Sequence, residues 1–310
     1  MAKLLKREKI GAGFYAVHLA SGDEIAINAD ELFPMASVFK VPIMVEIFRQ
    51  IGTGKLKLTQ RIALEDKHRT IGSGVILNLQ NGLKPTIRDL LMLMIIISDN
   101  TATNMLLDLV GPKTVTKTMA SLGLSDINIV FDIHKLFRIG VGLPLSKPST
   151  PAQLHAANGK NGFDRNSVAY ARDKRNNVSS ARAMAKLLAM SARKEILDEE
   201  SCRRMTTILR SQQLTQRVPR YLPWGTTANK TGSLSGQRND AGFFWRGEGD
   251  GIAFALFTYD PTPFPLGNSR VLLDRTAAVE QVMADVGWAL WEHFARPSAA
   301  KDERAPRRKS

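Results

Sequence analysis

A serine and a lysine three residues apart are the first candidates for chemistry in this sequence. Residues 37–40 read Ser-Val-Phe-Lys at the start of a predicted helix, so Ser37 and Lys40 project from one helical face. A serine hydroxyl is a weak nucleophile until a base removes its proton, and a lysine can be that base when burial and a neighbouring cation lower its pKa. The helix N-terminus adds backbone N–H donors for an oxyanion. The pair indicates nucleophilic catalysis, although this two-residue pattern also recurs by chance.

Two further polar segments lie at the ends of predicted elements. Residues 98–100 read Ser-Asp-Asn and separate the apolar run 90–97 from a predicted helix at 101–110, where they would form either the rim of a cleft or a helix cap. Residues 230–233 read Lys-Thr-Gly-Ser and end a predicted strand. Gly232 would let a ligand approach the backbone beside a fixed lysine cation, and the alternative interpretation is a simple strand-end turn.

The three segments occur in the order S-x-x-K, S-D-N, K-T-G, each on the appropriate element, and this combination is improbable by chance. On these motifs the chain resembles the penicillin-recognising serine hydrolases, most closely the class A β-lactamases. The resemblance includes Ile-Gly-Ser-Gly at 71–74, Thr-Ala-Thr-Asn at 101–104 and Gly-Pro at 111–112. It extends over roughly residues 11–294, with a clear gap at 133–178.

The resemblance implies four catalytic residues. Ser37 would be the acylated nucleophile and Lys40 its base partner. Ser98 would return a proton to the leaving nitrogen, and Lys230 would give the cleft a positive potential and support Ser98.

The resemblance also implies the residues that bind the substrate. Asn100 would hold the amide side chain of the substrate, and Thr231 its carboxylate. The backbone N–H groups of Ser37 and Ser233 would form the oxyanion hole, with Gly232 leaving room for the substrate against the strand. Asp99 is expected to cap and brace its turn.

One family feature is missing from the sequence. Class A enzymes carry a glutamate in an E-x-x-L-N segment that activates the water for deacylation, but this chain has no glutamate between Glu65 and Glu195. Counting onward from Gly123, Asp132 and His134 fall nearest the expected position. An aspartate would need the backbone about one methylene closer, and a histidine could act as a base near pH 7; the alternative for both is a surface loop residue. The sequence therefore predicts intact acylation and leaves the deacylation step open.

Composition and charge describe a folded chain with a basic surface. The 310 residues are 44% hydrophobic and 23% charged, which is ordinary for a globular protein and excludes a disordered chain or a small disulfide scaffold. The net charge is +14, and the segment 133–220 contains 17 basic and 6 acidic residues. No RNA-binding, helix-turn-helix or zinc-finger pattern accompanies the basic residues, so we expect a solvated face and no nucleic-acid partner. The alternative is a non-catalytic protein that binds an anionic partner through this surface.

The sequence predicts neither a cofactor nor a metal site. Cys202 is the single cysteine, which excludes an internal disulfide and a Cys-based cluster, and the histidines lack metal-ligand spacing. Nucleotide-binding glycine motifs are also missing. The longest apolar runs fall far short of the roughly 20 residues needed to span a bilayer, and no signal peptide is visible. We expect a monomer that acts on a small molecule; the resemblance suggests a periplasmic or secreted protein.

Periodicity predicts an α+β (αβα) fold in which strands from both termini form one antiparallel sheet flanked by helices, beside an all-helical lobe. The predicted strands are 14–19, 24–28, 226–230, 240–246 and 252–258. The predicted helices are 38–50, 87–97, 101–110, 112–122, 180–192, 198–209 and 271–294. The α/β lobe would comprise 1–36 and 223–296, the helical lobe 37–222 with a long loop insertion at 133–178, and the tail 297–310 would be disordered.

These expectations define a reaction and a rival. Ser37 would attack a β-lactam amide to give an acyl-enzyme, which is then hydrolysed without the usual glutamate. The rival is a D-alanyl-D-alanine type peptidase, or an esterase, that β-lactams acylate and leave slowly.

Overall fold

The structure, a computed structural model, describes residues 9–262 and 269–295. Within these ranges the strands are β1 Gly11–His18, β2 Glu24–Ile27, β3 Leu32–Pro34, β4 Val178–Ser180, β5 Thr227–Leu234, β6 Gln237–Gly247 and β7 Asp250–Tyr259. Five of them form one antiparallel sheet in the order β2-β1-β7-β6-β5, and β3 pairs with β4. The prediction of an antiparallel sheet built from both ends of the chain is confirmed.

The helices account for most of the remaining chain. Within the described ranges they are α1 Lys40–Gly52, α2 Ile87–Ile96, α3 Asn100–Val110, α4 Pro112–Ser121, α5 Ile133–Gly140, α6 Pro151–Asn161, α7 Ala181–Ala192, α8 Glu199–Arg210 and α9 Ser269–Ala295. The seven helices predicted from apolar periodicity are all present, with ends that differ by at most two residues. The α+β fold class is therefore confirmed.

The sheet is covered on both faces, which explains why β1 and β7 are apolar along most of their length. Along β1, Phe14 and Ala16 belong to one core cluster and Tyr15 and Val17 to the other, as expected because successive side chains point to opposite faces. Helix α9 packs on the first face through residues such as Met283. Helix α7 packs on the second face against β1, β6 and β7.

The predicted division into two lobes stays a prediction, and the structure changes two of its details. The segment 37–222, expected to be all-helical, contains the short strand β4, which pairs with β3. Helix α7, also in that segment, packs against the sheet. Within the helical part, α1 is almost completely buried and contacts α2, α3, α4 and α8. The start of α1 is therefore held rigidly, which matters for the residues placed there.

The prediction of a long loop at 133–178 is wrong for much of that segment. It contains α5, α6 and a 3₁₀ turn at Val168–Tyr170. The glycines and prolines that suggested a loop mark the ends of short helices: Pro151 begins α6, and Gly162 follows it with a φ of 64°. The segment also packs on the rest of the molecule, since Leu136 and Tyr170 share a cluster with Leu234 of β5.

Some expectations fall outside the described residues, including the predicted disordered tail at 297–310. Within the described part of the chain, no helix is both long and apolar enough to cross a membrane. No group of three or more potential metal-ligating side chains gathers in that part either. Cys202 is buried there as a free thiol.

Candidate active site

The three sequence motifs converge on one cavity. Ser37 lies in a 3₁₀ turn at Ala36–Phe39 that runs directly into α1, Ser98 lies just before α3, and Lys230 lies on β5. The cavity has a volume of about 230 Å³. Its lining residues are Ala36, Ser37, Gly72, Ser73, Ser98, Asn100, Ile133, Leu136, Phe137, Leu214, Thr231, Ser233 and Leu234.

Close packing of β5 against the 3₁₀ turn brings the K-T-G motif to Ser37. A Cβ atom on Gly232 would lie 2.7 Å from the carbonyl oxygen of Met35 and 3.0 Å from the backbone nitrogen of Ser37, so only glycine fits. Ser37 is half-buried between buried neighbours, which leaves it accessible from the cavity. Ala36 and Ser98 have φ values of 45° and 59°. Such left-handed conformations at non-glycine residues are uncommon and cluster at functional sites.

Lys40 is fully buried and contacts the S-D-N motif. Its Nζ donates to the carbonyl oxygen of Ser98 (2.7 Å) and to Oδ1 of Asn100 (2.9 Å), and lies 3.0 Å from Oγ of Ser98. Burial, and then the cation of Lys230, hold the pKa of Lys40 well below its ordinary value, while Asp99 opposes the shift. A larger fraction of Lys40 is therefore neutral near pH 7 than in an exposed lysine, as a base requires.

Lys230, on β5, contacts the Ser98 hydroxyl as Lys40 does. Its Nζ lies 3.1 Å from Oγ of Ser98 and donates to the carbonyl oxygen of Thr231 at 2.7 Å. Complete burial, and then the cation of Arg217, lower the pKa of Lys230 to about 7, and the carboxylate of Asp240 partly offsets this. The Ser98 hydroxyl thus lies between two amino groups, an arrangement that can pass a proton.

Asp99 braces the turn that carries Ser98 and Asn100. Its Oδ1 accepts from the backbone N–H of Ala102 at 2.8 Å and caps α3, and its Oδ2 accepts from the N–H groups of Val75 and Ile76. With its carboxylate used in this way, Asp99 has a structural position, as expected.

The glycine-rich segment at 71–74 supports the S-D-N turn from the other side. The Ser73 hydroxyl donates to the carbonyl oxygen of Ser98 at 2.6 Å, and Nδ2 of Asn100 donates to the carbonyl oxygen of Ile71 at 3.0 Å. A Cβ on Gly72 would lie 2.5 Å from the Asn100 amide nitrogen. Ser73 also lines the cavity, although its sequence context gave it no role; its position between two glycines was the available signal.

The comparison with protein families identifies the family of this chain. Residues 1–294 match the family model described as the β-lactamase enzyme family. The chain belongs to this family.

Individual relatives agree with the family assignment. A β-lactamase from Streptomyces albus G is 37% identical over 118 residues, which cover 36% of this chain and 37% of that protein. A β-lactamase from Streptomyces cellulosae is 26% identical over 290 residues, covering 91% of this chain and 83% of that protein. The crystal structure of a β-lactamase from Sphaerobacter thermophilus DSM 20745 matches with a TM-score of 0.74 and 29% identity, covering 96% and 98% of the two chains. The protein is therefore a β-lactamase-like hydrolase.

Arg217 is a residue of this β-lactamase-like site that the sequence motifs did not reveal. It is buried behind β5, and its guanidinium donates to the carbonyl oxygens of Gly232 (2.8 Å) and Asn239 (2.6 Å) and to Oγ of Ser233 (2.6 Å). Its Nε lies 3.2 Å from the carboxylate of Glu280 on α9. Arg217 belongs to no local motif, so only the tertiary structure links it to the K-T-G strand.

The structure does not place Asp132 and His134 in the cavity of Ser37. Oδ1 of Asp132 caps α5 by accepting from the backbone N–H of Lys135 at 2.7 Å, and Nε2 of His134 lies 3.0 Å from the carbonyl oxygen of Ser149. Both line a second cavity of about 350 Å³, beside Asp108. The interpretation of either residue as the deacylation base is therefore not supported, and the alternative of a residue outside the site fits their placement.

The helical geometry of α5 explains the correction. Ile133, which lies between the two candidates, lines the Ser37 cavity together with Leu136 and Phe137. Positions i, i+3 and i+4 share one helical face, so the neighbouring residues point elsewhere. Among the described residues that line this cavity there is no carboxylate and no imidazole.

Proposed function

We propose that this β-lactamase-like hydrolase opens the β-lactam ring by acylation of Ser37 and that its acyl-enzyme is hydrolysed slowly. The observation that carries the proposal is the apolar wall formed by Ile133, Leu136 and Phe137 on the cavity that contains Ser37. Acylation needs the groups around Ser37, Lys40 and Ser98, whereas deacylation needs a base that can activate water, which this wall does not supply.

The acylation step uses the contacts that join Lys40 and Lys230 to Ser98. Neutral Lys40 takes the proton of the Ser37 hydroxyl as Oγ bonds to the lactam carbonyl carbon. The backbone N–H groups of Ser37 and Ser233 stabilise the oxyanion that forms. When the C–N bond breaks, the ring nitrogen receives a proton from Ser98, which regains one from Lys40 at 3.0 Å. The positive charge of Lys230 and the Thr231 hydroxyl bind the carboxylate of the substrate.

Asn100 and the edge of β5 orient the substrate in this proposal. One N–H of the Asn100 amide is used by the Ile71 carbonyl oxygen, so its second N–H is the donor for a side-chain carbonyl of the substrate. Gly232 has no side chain to keep the substrate from the strand. The acyl group is therefore held by the same elements that position Ser37.

Hydrolysis of the ester is the slow step in this proposal. Water must be deprotonated as it attacks, and general base catalysis typically contributes about 10²–10⁴-fold. The described residues that line the cavity add no carboxylate and no imidazole that could serve as this base. We therefore expect the adduct to outlast the acylation step by a wide margin.

Intact-protein mass spectrometry tests both halves of the proposal. The protein is mixed with a penicillin and, separately, a cephalosporin, and its mass is followed from seconds to hours. We expect an adduct that forms quickly, maps to the peptide containing Ser37 and persists. An adduct that clears rapidly while substrate is consumed contradicts slow deacylation, and the absence of any adduct contradicts acylation.

Substitution of Ile133 by glutamate is expected to accelerate deacylation by about 100-fold. The new carboxylate would enter the wall of the cavity where water must be activated. The rate is measured as the decay of a preformed adduct after excess β-lactam is removed. Ile133→Gln is the matched control, because it adds similar volume and polarity without a base. Equal decay rates in the two variants would overturn the idea that the wall limits hydrolysis.

Asp132→Asn and His134→Ala are expected to leave the deacylation rate within about twofold of the wild type, since substitutions away from a site usually have small effects on it. Both side chains line the second cavity rather than the cavity of Ser37. The same adduct-decay measurement applies. A slowdown of tenfold or more in either variant would restore that residue as a candidate base.

A D-alanyl-D-alanine type peptidase or esterase is the second candidate function, and the same apolar wall favours it. A site that releases a β-lactam adduct slowly can still turn over esters or peptides whose leaving group departs. Steady hydrolysis of an acyl-D-alanyl-D-alanine peptide or a thioester, alongside a persistent penicillin adduct, would support this candidate. No turnover of either substrate would remove it.

A further inference from the structure

A buried carboxylate lies behind the K-T-G strand in a position that the proposed reaction does not use. Asp240 of β6 is completely buried and pairs in register with Thr231 of β5. Its Oδ1 accepts from Nδ2 of Asn229 at 2.8 Å, and its Oδ2 accepts from the backbone N–H of Val218 at 3.2 Å. Asp240 thus joins β5, β6 and the 3₁₀ turn that begins at Val218.

The bond to Val218 also bears on Arg217, the preceding residue. Arg217 donates to backbone and side-chain oxygens of Gly232, Ser233 and Asn239, which border the cavity of Ser37 or lie behind it. Because Asp240 holds the Val218 N–H, it also fixes the backbone from which the Arg217 side chain extends. The geometry therefore couples Asp240 to the oxyanion-hole end of β5 through Arg217.

Asp240 is a buried carboxylate among several buried basic residues. Lys40, Lys230 and Arg217 are buried basic residues. Glu280 of α9 contacts Arg217 from its partly exposed side, and Arg238 of β6 adds another positive charge. Asp240 is the acidic group whose charge opposes the lowering of the Lys230 pKa. Burial raises the pKa of Asp240 itself to about 6, while Asn229, Arg217, Val218 and Lys230 favour its ionised form.

We propose that Asp240 is a positioning residue for acylation, which fixes Arg217 through the Val218 backbone and keeps Lys230 in its ammonium form. The inference rests on the proposed function, because Lys230 acts there as a cation. The ionised form of Asp240, which Asn229, Val218 and Lys230 favour, stabilises that cation. The residue does not touch the substrate and acts through Lys230 and Arg217.

The proposal predicts a shift in the pH profile of acylation. The acylation rate is expected to fall as the pH rises through the pKa of Lys230, because the ammonium is lost. In Asp240→Asn the carboxylate no longer favours the ammonium, so this alkaline limb moves to lower pH, by about one unit for the loss of a nearby opposite charge. A role limited to packing would lower the rate without moving the limb.

The test measures acylation rates from pH 5 to 9.5 by mass spectrometry, with thermal unfolding to verify folding. Glu280→Gln is the matched control, since the Glu280 carboxylate lies on Arg217 and is partly in solvent. We expect the alkaline limb of this variant to stay near that of the wild type. Should Asp240→Asn not fold, Arg217→Gln is compared with the double variant Arg217→Gln/Asp240→Asn, which leaves fewer unpaired buried charges. We expect the alkaline limb of the double variant to lie about one pH unit below that of Arg217→Gln.

The outcomes separate this inference from the proposed function. If the wild type forms an adduct and the limb moves as described, the positioning role is supported. If the wild type forms an adduct but the limb is the same with and without Asp240, the inference is overturned and the proposed function stands. If the wild type forms no adduct at all, the proposed function fails first.

Discussion

Ser37→Ala is expected to abolish covalent labelling by any β-lactam and to lower turnover to the level of background hydrolysis. The effect should be the largest of any single substitution, because in the proposed reaction the Ser37 hydroxyl is the group that bonds to the lactam carbonyl carbon. Loss of a catalytic serine typically costs on the order of 10⁶-fold. The measurement is intact mass after hours with excess penicillin, together with loss of absorbance of a chromogenic cephalosporin.

The matched control for this experiment is Ser73→Ala, a second serine hydroxyl in the same cavity. Ser73 donates to the carbonyl oxygen of Ser98 and has no covalent role, so its variant should still form the adduct, with altered kinetics. Labelling that persists in Ser37→Ala, or that is lost only in Ser73→Ala, would assign the nucleophile elsewhere.

Lys40→Ala is expected to slow acylation by about 10²–10⁴-fold, the usual cost of removing a general base. The variant also removes the donor for the Ser98 carbonyl oxygen and for Oδ1 of Asn100, so we expect some loss of stability. The rate is measured as formation of the penicillin adduct, and thermal unfolding shows whether the variant is folded.

Lysine replacement on the surface provides the control for Lys40→Ala. Lys117→Ala removes an exposed lysine from α4 and should leave acylation unchanged. In the wild type, acylation should also fall as the pH drops through the pKa of Lys40, which lies well below that of an ordinary lysine, because the amine then becomes protonated. Near-normal acylation in folded Lys40→Ala would contradict its assignment as the base.

Several features of this protein were determined by the sequence alone. The alternation of apolar residues predicted the strands of the sheet, and apolar periodicity predicted seven of its helices. The spacing of Ser37 and Lys40, together with the two later motifs, was enough to indicate the family. The strand and helix predictions succeed because they depend on neighbours in sequence: apolar side chains that recur every three or four residues lie on one face of a helix whatever surrounds them.

Other features were decided only by the tertiary structure. Which residue of α5 faces Ser37 depends on how that helix is rotated, and the rotation is set by distant contacts such as the bond from the Ile133 N–H to Oδ1 of Asn104 and the packing of Phe137 on Phe163. If the helix were rotated by one residue, Asp132 or His134 would face the cavity in place of Ile133. The site would then have a base where it now has an apolar wall. The roles of Arg217 and Asp240 likewise arise from chain segments brought together by folding, which no local pattern encodes.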